Sequence, residues 1–249
     1  MTEWSIVIGC KPIEIFFFMG SNPILSKFIL KKINFLIFFN KKQNFIVIIN
    51  NRIINIKFET LILKIGLYLS YKIPCLCYNE FLNIAGNCRM CLVENNLSKK
   101  LVTACSTLVM NGMFIWTKNK RINEVREYIL EFILLNHPLD CPICDQGGEC
   151  DLQDFTLIFG NDRGRFYDGY KKSVEIMNLG FLIKFIITRC IYCTRCIRFS
   201  REINDFLNLG ILGRTKSFIG NYLKTNIYSW LSGMIINLCP VGFFKFYIL

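Results

Sequence analysis

The sequence lacks the features that would mark several common classes of protein. Alanine occurs only at positions 85 and 104, and His137 is the single histidine among 249 residues. No G-x-G-x-x-G follows a predicted strand and no P-loop is present, so we expect no nucleotide site on this chain. The cysteines do not suggest the disulfide framework of a secreted protein, because they lie in tight clusters and are odd in number.

Uninterrupted apolar runs of membrane-spanning length are missing as well. The stretch from Ile13 to Asn40 is divided by Pro23 and by charged residues, and the stretch from Lys224 to Lys245 contains several polar residues. A spanning helix needs about 20 predominantly apolar residues. We therefore expect no membrane span.

The composition is nevertheless that of a folded chain. Hydrophobic residues make up 53% of the sequence and charged residues 19%, which argues against disorder. The length allows one large domain or two to three small ones. Isoleucine, phenylalanine, asparagine and lysine abound, and all four have A/T-rich codons, which favours an organelle genome as the source.

Hydrophobic periodicity predicts a few elements. Residues 45–49 and 52–58 are β-rich runs joined by Asn50-Asn51, a pair that suits a tight hairpin turn. A helix is predicted from Thr60 to Ser70, with Thr60 as its cap and an apolar face of Leu61, Ile65, Tyr68 and Leu69. A longer one is predicted from Arg121 to Asn136, with an apolar face of Ile122, Val125, Ile129, Phe132 and Ile133.

The first cysteine group consists of Cys77, Cys88, Cys91 and Cys105, spaced C-x10-C-x2-C-x13-C. One C-x2-C pair flanked by two distant cysteines is how ferredoxin-type [2Fe-2S] centres are held. Gly86 would let backbone N–H groups turn toward the sulfurs. Spacing leaves Cys75 open as the first ligand in place of Cys77, and zinc remains an alternative occupant, although zinc sites usually pair two C-x2-C knuckles.

The second group consists of His137, Cys141, Cys144 and Cys150, spaced H-x3-C-x2-C-x5-C. One nitrogen and three sulfurs could bind zinc or a [4Fe-4S] cluster. A lone histidine is usually a satisfied surface or core residue. This one lies at the end of a predicted helix and beside three cysteines, which favours its interpretation as a ligand.

The third group consists of Cys190, Cys193 and Cys196, a C-x2-C-x2-C run, with Cys239-Pro240 far downstream. This arrangement is typical of bacterial-type [4Fe-4S] ferredoxins, in which a distant Cys-Pro supplies the fourth ligand. Four arginines surround the run: Arg189, Arg195, Arg198 and Arg201. They are either a solvated face or cations that offset the negative charge of a cluster.

Three groups of four ligands use eleven of the thirteen cysteines and the histidine, leaving Cys10 and Cys75 without an assigned role. The formal net charge of +12 would by itself suggest nucleic acid as a partner. Three bound clusters with their thiolates would contribute about −5, which lowers the net charge to near +7. We therefore predict no nucleic-acid partner.

At these residues the chain resembles the iron–sulfur part of the large electron-transfer subunit of NADH:quinone oxidoreductase, respiratory complex I. The resemblance runs from about Asn44 to the end and is carried by Ile73-Pro74-x-x-Cys77-Tyr78, Ala85-Gly86-Asn87-Cys88-Arg89-Met90-Cys91-Leu92-Val93-Glu94, Asn136 through Asp154, Thr188 through Phe199, and Cys239-Pro240-Val241-Gly242. It implies that Cys77, and not Cys75, is the first ligand.

The resemblance implies an α+β fold in four segments. Residues 1–43 would be an amino-terminal extension that matches nothing in the family. Residues 44–120 would form a β-grasp [2Fe-2S] ferredoxin-like domain, 121–160 a small helical His-Cys domain with a [4Fe-4S] cluster, and 161–249 a [4Fe-4S] ferredoxin-like domain. The cofactors would be one [2Fe-2S] and two [4Fe-4S] clusters.

The function that the resemblance implies is electron transfer. The chain would act as a subunit of the enzyme, without a substrate site of its own, and relay electrons from NADH and flavin toward quinone. Its expected partners are the flavin- and NADH-binding subunit and other iron–sulfur subunits. The expected location is the matrix-facing peripheral arm of the complex at the mitochondrial inner membrane. The family's carboxy-terminal domain is not in this sequence, and we expect it on a separate chain or lost.

Two alternatives remain open. The chain could be the diaphorase-type subunit of an NAD-reducing hydrogenase or formate dehydrogenase, although many such relatives carry further two-cluster ferredoxin runs and this sequence has one triplet. It could also be a zinc-stabilised interaction module without a redox role, a possibility that metal analysis distinguishes.

Overall fold

The computed structural model describes the following residues: 45–56, 59–96, 99–166, 171, 177–178, 183–203, 209–214, 217–221 and 233–246. The predicted amino-terminal extension, residues 1–43, lies outside them, as does Cys10. All the described residues belong to one compact unit that spans 39–249.

The predicted hairpin is confirmed. Strand β1 (Phe45–Ile49) pairs antiparallel with β2 (Arg52–Ile56), and Phe45 lies opposite Ile56. Asn50 and Asn51 both have positive φ, 46° and 69°. Two consecutive left-handed residues give a type I′ turn, whose twist matches that of the strands it joins. Asparagine tolerates this conformation better than most residues do.

The hairpin belongs to a five-stranded mixed sheet. Strands β3 (Leu92–Asn95), β4 (Lys100–Thr103) and β5 (Phe114–Trp116) complete it, in the order β2-β1-β5-β3-β4. The β1–β5 pair is parallel, whereas β3 is antiparallel to both β4 and β5. Helix α1 (Ile62–Tyr68) contributes to the core of this sheet, which includes Val47, Ile49, Val93 and Ile115.

The predicted helix α1 is confirmed, but it is shorter than predicted and its cap and part of its apolar face differ. The helix begins at Ile62, and its N-cap is Leu61 without a side-chain cap, so Thr60 does not cap it. The reason is that Leu61 forms a β-bridge with Leu108, which holds the preceding backbone extended. Helix α1 buries Ile62, Leu63, Ile65 and Gly66, whereas Tyr68 is 76% exposed.

The second predicted helix is confirmed, but its buried face differs. Helix α2 (Lys120–Leu135) is capped by Asn119, whose side chain accepts from the Ile122 N–H at 2.7 Å. Its buried residues are Ile122, Arg126 and Leu130, spaced i, i+4, i+8. The predicted apolar position Phe132 is 73% exposed. A charged residue therefore occupies the centre of the buried stripe.

The described residues beyond α2 form short elements. They are a 3-10 turn at Cys141–Ile143, α3 (Asp151–Phe159), β6 (Met177–Asn178), β7 (Ile183–Phe185), a 3-10 turn at Ile187–Arg189, α4 (Arg195–Glu202), β8 (Gly210–Leu212), β9 (Phe218–Gly220), α5 (Met234–Leu238) and β10 (Phe244–Phe246). Strands β10, β7 and β6 form one antiparallel sheet, and β8 and β9 form another. The architecture is thus a mixture of helices and small sheets, in accord with the predicted α+β class.

A second hydrophobic core unites these short elements with the first cysteine loop. Phe185, Phe243 and Phe244 form an aromatic triad in it, with ring centroids 4.6–5.0 Å apart. Leu76 and Met90, which flank the first cysteines, are buried in the same core. Truncating a buried Phe to Ala typically costs about 3–5 kcal/mol, so this core firmly holds the loops that carry cysteine.

In the part of the chain that the structure describes, no helix combines the length and the apolar character that crossing a membrane requires.

Candidate metal centres

The structure brings the four cysteines of the first group together. Cys77, Cys91 and Cys105 are buried, and Cys88 is half-buried. The Cys77 sulfur is hydrogen-bonded to the thiols of Cys88 and Cys105, and Cys105 is also hydrogen-bonded to Cys91. The four sulfurs therefore form a continuous set beside the five-stranded sheet, where the loop before β3 meets the turn after β4.

The thiols of this set cannot all ionise without a cation. Hydrogen bonds donated by Cys105 and Cys88 hold the pKa of Cys77 well below its usual value. Cys105, as the donor to Cys77 and Cys91, has its pKa raised. Four thiolates in one buried pocket repel one another, and iron ions supply the opposite charge that would stabilise them. The donor set therefore fits a cluster that takes four thiolates.

Backbone N–H groups also point at these sulfurs. The N–H groups of Asn87 and Cys88 donate to the Cys77 sulfur. The loop turns there because Gly86 has a φ of +65°, a conformation that glycine adopts at little cost. This confirms the turn predicted at Gly86. Such hydrogen bonds to sulfur favour the thiolate and tune the potential of a bound cluster.

Cys75 lies outside the hydrogen-bonded set of sulfurs. Its side chain packs against the first core, and its exposure is intermediate. Burial, followed by the nearby Cys91 thiol, raises the pKa of Cys75 to about 11.

Arg126 is a buried cation beside the first group, and the sequence analysis missed it. Its side chain is 1% exposed, and Nη2 donates to the carbonyls of Leu92 and Thr117 at 3.1 Å each. Its guanidinium carbon lies 5.1 Å from the centre of the Phe159 ring. Burial lowers the pKa of Arg126 to about 10, and the Cys91 thiolate opposes this shift, so the side chain stays charged at neutral pH.

We expect Arg126→Ala to destabilise the protein by about 3 kcal/mol, because it removes two charged hydrogen bonds and leaves a cavity and two buried carbonyls without a donor. Denaturant unfolding followed by circular dichroism measures the change. The control is Arg121→Ala on the same helix, whose ion pair with Glu94 at 3.3 Å is largely exposed. An exposed pair contributes about 0–1 kcal/mol. Equal unfolding midpoints for the two variants would contradict the prediction.

The second group lines one small cavity. His137, Cys141, Cys144 and Cys150 all line one small pocket that Gln153, Arg189 and Gly242 also border. His137 follows the end of α2, Cys141 begins a 3-10 turn, and Cys150 is the N-cap of α3. Three separate elements thus direct the predicted ligands at one point.

His137 has the state that a ligand needs. Its Nδ1 is buried and has no hydrogen-bond partner among the described residues. Burial, with smaller contributions from Lys171 and Arg189, lowers the pKa of His137 to about 4, so the imidazole is neutral near pH 7. A neutral imidazole nitrogen is a ligand for metals, and a buried polar atom without a partner is costly unless something binds it.

Residues near the carboxyl end close the second site. A Cβ placed on Gly242 would lie 2.3 Å from the Cys144 sulfur. Arg189 donates from Nε to Asp140 at 3.1 Å and from Nη1 to the Gly242 carbonyl at 3.4 Å. Lys245 forms an ion pair with Asp145 at 3.0 Å. The segment that follows Cys239 therefore forms a wall of the second site.

The four cysteines of the third group also lie close together in the structure. Cys193 and Cys196 are buried, while Cys190 and Cys239 are half-buried. Burial raises the pKa of Cys196 well above its usual value, and the charges of Cys193, Cys190 and Cys239 raise it further. All four sulfurs are thus close enough to interact. As in the first group, they form a set that a cluster's positive charge would stabilise.

Backbone geometry supplies donors to the third group. Tyr192 and Thr194 have φ values of 55° and 60°, so the loop alternates between left-handed and other conformations. The Tyr192 N–H donates to the Cys190 sulfur at 3.4 Å. The N–H groups of Val241 and Phe243 donate to the sulfur of Cys239. Successive N–H groups that converge in this way form concavities that bind anionic groups, iron–sulfur clusters among them.

The four arginines around the third run differ in their environments. Arg189 is 5% exposed, Arg195 and Arg198 are half-buried, and Arg201 is exposed. Arg195 donates to the Leu238 carbonyl beside Cys239 at 3.3 Å. The solvated-face interpretation therefore holds for Arg201, while the other three contact the loops that carry the cysteines.

Among the described residues, no three His, Cys, Asp or Glu side chains meet closely enough to bind a single metal ion. A mononuclear zinc site would need four ligands about 2.0–2.3 Å from one point.

Three families match separate stretches of the chain. Residues 44–120 match the 2Fe-2S iron-sulfur cluster binding domain, 126–165 match the NADH-ubiquinone oxidoreductase-G iron-sulfur binding region, and 180–245 match the ferredoxin-like domain of NADH-quinone oxidoreductase subunit 3. Each match contains one of the cysteine groups described above.

Curated relatives agree with these matches. The chain is 50% identical over 190 residues to the NADH-ubiquinone oxidoreductase 75 kDa subunit of Reclinomonas americana, covering 76% of this chain and 27% of that protein. It is 53% identical over 171 residues to NADH dehydrogenase [ubiquinone] iron-sulfur protein 1, mitochondrial, of Solanum tuberosum, covering 68% and 23%. The chain thus spans about a quarter of the length of these relatives.

A solved structure shares the fold. The crystal structure of an NAD+-reducing [NiFe]-hydrogenase in the H2-reduced state contains a chain that superimposes with a TM-score of 0.72 and 23% identity, covering 81% of this chain and 87% of that one. At this identity the likeness shows the fold alone.

Proposed function

Because the chain resembles the iron–sulfur part of the large electron-transfer subunit of NADH:quinone oxidoreductase, we propose that it relays electrons within such an enzyme. It would take electrons that originate from NADH and flavin and pass them toward quinone. The observation that carries this proposal is the presence of three separate, gathered sets of sulfur ligands in one chain. The chain would be part of the enzyme without a substrate site of its own.

We assign one cluster to each set. Cys77, Cys88, Cys91 and Cys105 would hold a [2Fe-2S] cluster. His137, Cys141, Cys144 and Cys150 would hold a [4Fe-4S] cluster, as would Cys190, Cys193, Cys196 and Cys239. Such clusters accept and release single electrons. The chain's own contribution is to hold the ligands, donate backbone hydrogen bonds to sulfur and exclude water, all of which set the potential.

We further propose the domain division given by the sequence. Residues 44–120 would be a β-grasp domain, a proposal supported by a mixed sheet in which β1 and β5 are parallel. Residues 121–160 would be a helical His-Cys domain, supported by α2 and α3 on either side of the second site. Residues 161–249 would be the [4Fe-4S] domain. The extension 1–43 lies outside the described residues.

The partners that this function requires are subunits that carry the donor and acceptor sites. We propose a flavin- and NADH-binding subunit and further iron–sulfur subunits, and a location in the matrix-facing arm of the complex in mitochondria. The relative from Solanum tuberosum is named as mitochondrial, which supports this location. We propose no role in binding nucleic acid.

The hydrogenase alternative has weaker support. The likeness to the NAD+-reducing hydrogenase chain is at 23% identity and concerns the fold. The identities of 50% and 53% are with complex I subunits, which favours the respiratory function. The zinc alternative predicts a different metal content, so the experiment below separates it from both.

The experiment that tests the function is EPR of the dithionite-reduced protein, with iron and acid-labile sulfide measured on the same sample. We expect about ten iron atoms per chain and spin counts for one binuclear and two tetranuclear centres. Zinc without iron or sulfide, and no visible absorption, would overturn the proposal. A control sample with iron removed by a chelator should lose all three signals.

We expect His137→Cys to retain a tetranuclear centre in the second site with a lower midpoint potential, by on the order of 100 mV. The reason is that a thiolate adds a negative charge where the imidazole is neutral, which disfavours the reduced state. Redox titration followed by EPR measures the shift. The control is Cys75→Ser, which is expected to leave this midpoint unchanged. If His137→Cys changes neither the signal nor its midpoint, His137 is not a ligand.

A further inference from the structure

Arg198 joins the first and third cysteine groups through a single side chain. It lies on α4, half-buried, and its guanidinium donates to the backbone carbonyls of Cys77 and Cys193, the latter at 3.3 Å. A third bond from Nη1 reaches the carbonyl of Asn83. Two of these three acceptors belong to residues assigned to different clusters, so one rigid group spans both sites.

Neighbouring contacts place the same two loops side by side. The Asn83 N–H donates to Glu202 at 2.9 Å, and the Asn87 side chain donates to the Tyr192 carbonyl at 2.9 Å. These bonds run between the loop of the first group and the segment of the third. Asn83 takes part in both sets of contacts, because its N–H bonds to Glu202 and its carbonyl accepts from Arg198.

The charges of the two groups interact across this contact. Arg198 donates to the carbonyls of both Cys77 and Cys193, so its positive charge lies beside both ligand loops. Thiolates or clusters held by the two loops carry charges of the same sign. Anionic sulfur at the two sites is thus mutually repulsive, and Arg198 places a positive charge between them. A cation in this position stabilises added negative charge on either side.

We propose that Arg198 is a positioning residue that fixes the separation of the [2Fe-2S] site and the third site by clamping the Cys77 and Cys193 carbonyls. This inference rests on the proposed function, because it assumes that both sites hold clusters. The guanidinium is planar and carries five N–H donors in a fixed geometry, which suits it to hold several acceptors at once. A lysine supplies the charge as a point and does not reproduce this geometry.

Two separable effects follow from the clamp. The distance between the sites is set by the shape of the guanidinium, and electron transfer between two centres slows steeply as they move apart. The midpoint potential of the [2Fe-2S] site depends on the charge of Arg198, because a nearby cation favours the reduced, more negative state. Arg198→Lys keeps the positive charge and loses the planar guanidinium, so it separates the effect on distance from the effect on midpoint potential.

The test compares Arg198→Lys, Arg198→Gln and Arg201→Gln in the intact, iron-loaded protein. Arg201 is the matched control, because it is exposed on the same helix. The readouts are iron per chain, the midpoint of the binuclear centre, and its dipolar coupling to the third-site centre, measured from spin relaxation in the fully reduced protein. Both Arg198 variants should show reduced coupling. Arg198→Gln should also show a lowered midpoint, Arg198→Lys a nearly unchanged one, and Arg201→Gln neither change.

The clamp is overturned if a fully loaded Arg198→Gln protein has the coupling and midpoint of the unsubstituted protein. If Arg198→Gln does not bind its clusters, the coupling in Arg198→Lys decides, and wild-type coupling there overturns the proposal. An unsubstituted protein without iron would instead overturn the proposed function itself. The two failures are therefore distinguishable.

Discussion

Gly242→Ala should abolish the cluster of the second site and leave the binuclear centre intact. A methyl group at position 242 would lie 2.3 Å from the Cys144 sulfur and 3.2 Å from the Cβ of Gln146. Gly242 does not have positive φ, so the methyl group and not backbone strain is responsible for the effect. Cys144 must therefore move away, which leaves the second site with three ligands in place of four, and we expect its cluster to be lost. Iron should fall from about ten to about six atoms per chain.

Gly164→Ala is the matched control, since a Cβ there has no heavy atom within 4 Å. It should keep the full iron content and all signals. EPR and iron analysis on both variants measure the difference. A Gly242→Ala protein with all three centres would show that Cys144 adjusts without leaving the site, and the close approach would then have no role in cluster binding.

Cys77→Ala should lose the binuclear centre completely, whereas Cys75→Ala should retain it. Cys77 is fully buried and hydrogen-bonded to two other thiols, so its loss removes the central member of the first set. The binuclear signal should disappear, with a loss of about two iron atoms per chain. Cys75 lies outside the set, and its removal should leave the signal unchanged.

The pair is its own control, because the two cysteines are two positions apart and receive the same substitution. EPR of the reduced variants, with circular dichroism to verify the fold, gives the answer. Loss of the binuclear signal in Cys75→Ala, with retention in Cys77→Ala, would move the first ligand to position 75 and contradict the assignment.

The C-x2-C pairs within the three sulfur sets could be predicted from the sequence because their spacing is a local property, whereas spacing alone left Cys75 and Cys77 as alternatives. When two residues separate a pair of cysteines, one turn of the backbone directs both sulfurs toward the same cluster. This constraint does not depend on how distant parts of the chain pack. The hairpin at Asn50-Asn51 was predictable for the same reason. Its left-handed turn depends on two adjacent residues.

The start of α1 could not be predicted in this way. Thr60 is a good N-cap in isolation, but the β-bridge between Leu61 and Leu108 holds the backbone extended for one residue more. A contact between residues distant in the chain thus overrode a local preference.

The sequence contained a signal for the burial of Arg126, but the predicted apolar face of α2 did not include this residue. It stands at the i+4 position between Ile122 and Leu130, the spacing of a buried stripe, yet a charged residue is normally assigned to the solvent side. Burial became possible because two backbone carbonyls, those of Leu92 and Thr117, lie within hydrogen-bond reach of the guanidinium. The approach of Gly242 to Cys144, or of Arg198 to Cys77, has no such local signal, because it depends on how distant segments pack.

The return of strand β10 to β7 has a consequence for how the protein is made. Phe244 pairs with Phe185, and Cys239 lies just before this strand. A nascent chain that has left the ribosome only as far as residue 200 exposes three thiols of the third set and lacks the fourth. Such late closure favours slow maturation, since long-range contacts form late. Iron delivery to this site must therefore wait until Cys239 has been translated, and a scaffold or chaperone that shields the waiting thiols would protect them from oxidation.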